Sequence, residues 1–119
     1  MATGFSLELT QQGYRAQLVD LGSVSGNVQI NVNQGNEFLI NPTGATVIYF
    51  TGIPPSGQVG YWSLEIRSPG TNSVTFASNV TFDTGSGVIA GGTRSTVFAF
   101  RCRNGSTIVG GTSYANIPG

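Results

Sequence analysis

The chain has 119 residues, five of them Arg and five acidic, with no His and no Lys, so its formal net charge is zero. Those absences exclude Ser-His-Asp and Cys-His nucleophile machinery, imidazole metal sites, Walker A phosphate loops and lysine Schiff-base chemistry. Zero net charge with five cations argues against the clustered basic face that nucleic acid requires, and the lone Cys102 can form neither an internal disulfide nor a thiolate cage.

Taken in chain order, the first residues, MATGFSLEL, carry no positive n-region and no continuous apolar core, so no secretory leader is expected. No stretch approaches the roughly 20 apolar residues of a membrane-spanning helix. Short apolar runs at 5–9 and 17–21 read as a strand pair. A weak helical pattern at 11–18 is opposed by Gly13 and Tyr14. Gly and Ser then mark a turn at 22–26.

Period-2 alternation dominates from Asn27 onward. Val28, Ile30 and Val32 alternate with Asn27, Gln29, Asn31 and Asn33, one apolar face and one amide face. After a Gly35-Asn36 turn come strand-like runs at 38–40 and 47–50, separated by a Pro-Thr-Gly turn at 42–44. A Pro-Pro turn at 54–57 precedes Trp62, Leu64 and Ile66, which alternate with Tyr61, Ser63, Glu65 and Arg67. Turn signals at 69–72 lead to short runs at 74–76 and 80–82. Glycine-rich turns at 85–87 and 91–92 come next. Thr96, Phe98, Phe100 and Cys102 then oppose Val97, Ala99, Arg101 and Arg103. Asn104-Gly105 before the run at 107–109 is the sharpest hairpin signal and predicts a type I′ turn. Many short strands with Gly, Pro and Asn turns predict an all-β fold: a single antiparallel β-sandwich or jelly-roll-like domain over 1–119.

Several motifs invite chemistry. Phe82-Asp83-Thr84-Gly85-Ser86 is how aspartic proteases present a catalytic carboxylate. Only 36 residues follow Asp83, however, and they read as a strand and a hairpin, with no room for the flap and second loop. A turn in which Asp accepts backbone hydrogen bonds accounts for the motif. The GSGVIAG run at 85–91 mimics a dinucleotide fingerprint but has no following helix or βαβ unit. The acids are scattered and show no calcium-loop spacing. Catalytic residues, cofactors and metals are therefore all expected to be absent. Trp62 alternates with core positions and is expected inside, as is Cys102, while Tyr49, Tyr61 and Tyr114 are better placed for recognition. Arg94, Arg101 and Arg103 concentrate positive charge late in the chain, with Arg101 and Arg103 on one strand face. Tyr61, Arg94, Arg101, Arg103 and Tyr114 are the candidate interface residues.

The order of these runs resembles a β-rich module of bacteriophage virion proteins, chiefly tail-fibre and other phage structural polypeptides. The resemblance is carried by SGNVQINVNQGNEFLINPTGATVIYFTGIPPSGQVGYWSLEI at 25–66, VTFASNVTFDTGSG at 74–87 and STVFAFRCRNGSTIVGG at 95–111. It divides the chain into an N-terminal strand segment (1–21), the phage-like module (22–111) and a C-terminal tail (112–119). The family often ends in an Asp-Gly-Gly hairpin with an aromatic tail, where this chain has Arg103-Asn104-Gly105 and TSYANIPG. The resemblance implies a non-enzymatic virion structural protein, made in the host cytoplasm. Its leading form is a capsid decoration (cement) protein on the capsid surface, a homotrimer that binds the major capsid protein. The alternative is a tail-fibre or tail adaptor module that contacts tail proteins or host surface glycan. Neither nucleic acid nor membrane is an expected partner.

Overall fold

The structure, a computed structural model, describes residues 18–82, 89 and 91–118, the last six of them by backbone only. The strand expected at 5–9, the helical pattern up to residue 17, the Asp83 turn and the side chain of Tyr114 lie outside that description. So does the 85–91 loop, apart from Ile89 and Gly91. The described residues form seven strands: β1 Leu18–Asn31, β2 Glu37–Thr51, β3 Gly60–Arg67, β4 Val74–Phe76, β5 Val80–Phe82, β6 Arg94–Cys102 and β7 Ile108–Pro118. No helix occurs among the described residues. The fold is all-β. The strands form one mixed sheet in the order β1-β2-β3-β6-β7-β5, with β4 added beside β2.

Among these strands, β3–β6 and β6–β7 pair antiparallel, whereas β1–β2, β2–β3, β2–β4 and β5–β7 are parallel; a lone antiparallel bridge joins Gly70 and Gly92. The reason lies in the turns. Leu18 pairs with Glu37 and Asn31 with Thr51, so the chain must return from the end of β1 to its beginning within the link 32–36. Six residue steps reach at most about 22 Å. A straight β1 would put its ends about 43 Å apart. β1 therefore bends back on itself, and the bends fall where the ladder shifts register, between Asp20 and Gly22 and between Val24 and Gly26. Gly22 and Gly26 have φ of 70° and 71°, a left-handed backbone that costs other L-residues roughly 1–2 kcal/mol. The glycine-rich segment expected to reverse the chain instead turns a corner without ending the strand.

The next circuit repeats the device. The Pro42-Thr43-Gly44 segment is a corner inside β2, stacked on the first: Ser23 faces Asn41, Val24 faces Pro42, and Thr43 Oγ1 donates to Val24 O at 3.3 Å. The β3–β4 link makes the third layer. Asn72 Nδ2 donates to Pro42 O at 3.4 Å and to Pro69 O at 2.9 Å, and Thr46 N donates to Ser73 O at 2.9 Å. The result is a coil of stacked corners, closed on one side by the antiparallel strands β6 and β7.

Alternation along these strands places matched side chains in rows across the interior. Val28, Ile48 and Phe76 share one row, and Phe38, Leu64 and Phe98 another. Trp62 pairs with Phe100. The two limbs of the sheet meet through their rings: Phe50 lies 5.2 Å from Trp62, and Phe76 lies 5.5 Å from Phe98. Phe98 and Leu64 are fully buried and Phe100 nearly so, each contributing roughly 1.5–3 kcal/mol. Gly110 is part of this packing, because a Cβ there would stand 2.8 Å from the Phe100 ring and 3.0 Å from that of Phe82. Cys102 sits in the same core, 1 % exposed and unpaired.

The β6–β7 hairpin forms as expected, but its connection is the five-residue segment 103–107. A type I′ turn needs positive φ at both central residues. Only Gly105, at 77°, has it; Asn104 does not. The Asn104 side chain takes over, with Oδ1 accepting from Ser106 N at 3.0 Å and Thr107 N at 2.8 Å. That Asx-type bonding makes a wider loop stable.

Candidate functional site

Where the coil ends, three chain segments surround an open cleft of about 880 Å³. The link 32–36 forms one wall, the loop 52–59 a second, and the adjoining parts of β3 and β6 the base. Each wall has a local cause. Asn31 Oδ1 accepts from Asn33 N at 3.0 Å, and Gln34 N donates to Asn31 O at 3.0 Å, which fixes the first turn. In the second, Gln58 N donates to Pro55 O at 3.1 Å, and Gly57 N donates to Arg103 O at 3.4 Å, tying the loop to the β6–β7 connection. Gly60 lets that loop lie close: a Cβ there would stand 2.8 Å from Pro54 Cγ.

The lining is mixed in chemistry. Asn33, Asn36 and Gln58 supply amides, Glu37 a carboxylate, Tyr61 a phenol, and Ile53, Pro54, Pro55, Trp62 and Phe100 apolar surface. Asn36 Nδ2 donates to Tyr61 O at 3.2 Å, and Ser63 N donates to Asn36 O at 2.8 Å, so Asn36 bolts the first wall to β3. Glu37 faces Ser63 across the β2–β3 pair and accepts a hydrogen bond from its hydroxyl. Tyr61 is 61 % exposed. Trp62 is core, as its alternation predicts, at 4 % exposed, and its Nε1 has no partner among the described residues.

The structure separates the candidate interface residues. Tyr61 and Arg101 are opposed on β3 and β6, with the guanidinium carbon 5.9 Å from the ring centroid. Arg101 continues that outer row to Val109 of β7, itself 47 % exposed. Arg103 lies just beyond β6 and is exposed, near the 52–59 loop through its backbone. Arg94 stands at the opposite end of β6, seven residues from Arg101 along the strand, so the three arginines do not make one cluster. Tyr114 takes its backbone position opposite Val97.

Asn36, Glu37, Gln58 and Ser63 were not singled out by sequence. Asn36, Glu37 and Gln58 lie within or beside the turns at 35–36 and 54–57, and Ser63 is a polar position of the 61–67 alternation. Asp20, Glu37 and Glu65 share the outer face of neighbouring strands, yet no group of three metal-ligating side chains forms among the described residues. Comparison with known proteins gives no further guide: no family model, no curated protein and no solved structure matches the chain.

Proposed function

We propose that the chain is a non-enzymatic structural subunit of a bacteriophage virion, a decoration protein that binds the major capsid protein on the head surface and assembles as a homotrimer. The observation that carries this reading is the outer edge of β1. Among the described residues, this 14-residue strand is hydrogen-bonded on one side only, by β2. Proteins guard such edges with Lys, Pro or inward-pointing charge. β1 contains no Lys and no Pro, and Asp20 is its single charge. Its last five residues, Asn27 to Asn31, run in unbroken register along β2 and present amides outward at Asn27 and Gln29. An edge of that kind suits strand addition from a neighbouring subunit, in which main-chain hydrogen bonds supply the affinity.

The outer faces fit the same role. Asn27, Gln29, Val47, Tyr49 and Thr75 are neutral and exposed, so covering them desolvates no charge. Contacts built this way depend little on ionic strength. The sequence resemblance to phage structural modules supports the same assignment.

The test is to compare complete heads with heads lacking the chain under heating and osmotic shock. Decoration predicts that the depleted heads release their DNA earlier. Equal resistance of the two overturns it. The tail alternative is distinguished by where the copies sit on the particle.

A further inference from the structure

The cleft at the end of the coil has a composition that the assembly role does not use. We infer that it is a binding site for an uncharged oligosaccharide, with Tyr61, Gln58, Asn33 and Glu37 as its recognition groups. The inference does not depend on the β1 edge, since no residue of β1 lines the cleft.

Three properties support it. The first is size: at about 880 Å³ the cleft falls in the range of small-ligand sites, roughly 300–1,000 Å³. The second is donor and acceptor balance. Amide side chains offer both donors and acceptors, and an ionised carboxylate accepts only. Adjacent hydroxyls of a sugar need that mixture, each giving one hydrogen bond and accepting others. Beside these groups, the exposed Tyr61 ring and the prolines of the 52–59 loop supply apolar surface for the C–H face of a pyranose. The third is charge. Among the described residues, no Arg lines the cleft and Glu37 is the one carboxylic acid in its wall. Arg101 lies over the Tyr61 ring, outside the lining. Acidic sugars and phosphates would face Glu37 without a cation in the wall to offset it.

The walls are also built in advance. Asn36 ties the first turn to β3, Ser63 holds the Glu37 carboxylate, and the bond from Gly57 N to Arg103 O fixes the loop. A site already in its bound shape loses less conformational freedom when a ligand arrives.

The experiment applies the full chain to an array of neutral, sialylated and uronic-acid-containing oligosaccharides, then measures the best neutral hit by calorimetry. The expected result is a neutral ligand with Kd at or below about 1 mM, the affinity of a weak single site. Tyr61→Ala and Gln58→Ala should each weaken it at least about tenfold, or roughly 1.4 kcal/mol. Tyr49→Ala, on an exposed position of β2 outside the cleft, should leave it unchanged. Circular dichroism and melting of each variant confirm that the fold is retained. Binding of acidic glycans alone overturns the inference, as does binding that survives the Tyr61→Ala, Gln58→Ala double variant, or no binding at all. A head-stability result in either direction leaves this outcome unaffected.

Discussion

The two halves of this molecule use the same alternation to opposite ends. In β3, β6 and β7 the strands run back and forth, and each residue faces a partner reached through a reversal, as Trp62 faces Phe100 and Phe100 faces Gly110. In β1, β2 and β4 they run the same way, each circuit stacked on the last, as Val28 faces Ile48 and Ile48 faces Phe76. The β6–β7 hairpin pairs residues only 10 apart at Phe100 and Gly110, whereas the coil pairs residues 20 apart at Val28 and Ile48 and 28 apart at Ile48 and Phe76. The antiparallel half supplies a closed floor for the core. The coil supplies both the stacked corners and a β1 edge that, among the described residues, is paired on one side only.

The largest blow to both halves is expected where they join. Phe100 touches Phe50 and Phe76 from the coil and Phe82 and Phe98 from its own side. Phe100→Ala should therefore cost about 3–5 kcal/mol, read as a fall in the urea midpoint with one cooperative transition. Two separate transitions would mean that the halves fold independently.

Corner substitutions separate the halves. Gly26→Ala imposes a side chain on a φ of 71° with open space around it, so conformational strain alone should cost about 1–2 kcal/mol. Hydrogen exchange should then rise along β1 and β2 more than along β6 and β7. An unchanged stability would show that the corner is not left-handed. Asn72→Ala removes two bonds, to Pro42 O and Pro69 O, that tie the second and third layers of corners. The expected loss is about 1–2 kcal/mol at most, since each bond is worth about 1 kcal/mol net. The smallest effect belongs to the antiparallel half. Arg101→Ala removes an exposed contact with the Tyr61 ring and should cost about 0.5–1 kcal/mol, diminishing in high salt.

This contrast also explains what the sequence discloses. The Val-Thr-Phe triplets at Val74–Phe76 and Val80–Phe82 become β4 and β5 with the boundaries their pattern predicts. Trp62 and Cys102 are inside, and Tyr49 and Tyr61 outside, because alternation is a local property of the strand. Strand direction is not local. A Gly-Ser-Val-Ser-Gly segment reads as a reversal, yet two left-handed glycines within a continuing ladder turn a corner instead. Antiparallel pairing, as expected, joins β3 to β6 and β6 to β7, while the other pairs in the mixed sheet are parallel. The cleft was illegible for a related reason. Glu37 and Ser63 stand 26 positions apart and meet only because the coil returns, and the loop 52–59 becomes a wall only by bonding to Arg103. Tyr61 and Arg101 were legible as exposed residues, but not as a pair.

The β1 edge, paired on one side only among the described residues, is proposed to serve assembly on a phage head. Cryo-electron microscopy of virions purified from cells that make the chain tests it most directly, with the chain's density fitted to the particle. The account predicts many copies in threes over the head shell, with β1 against a neighbouring subunit. A few copies at the tail, or particles without the chain, would contradict it.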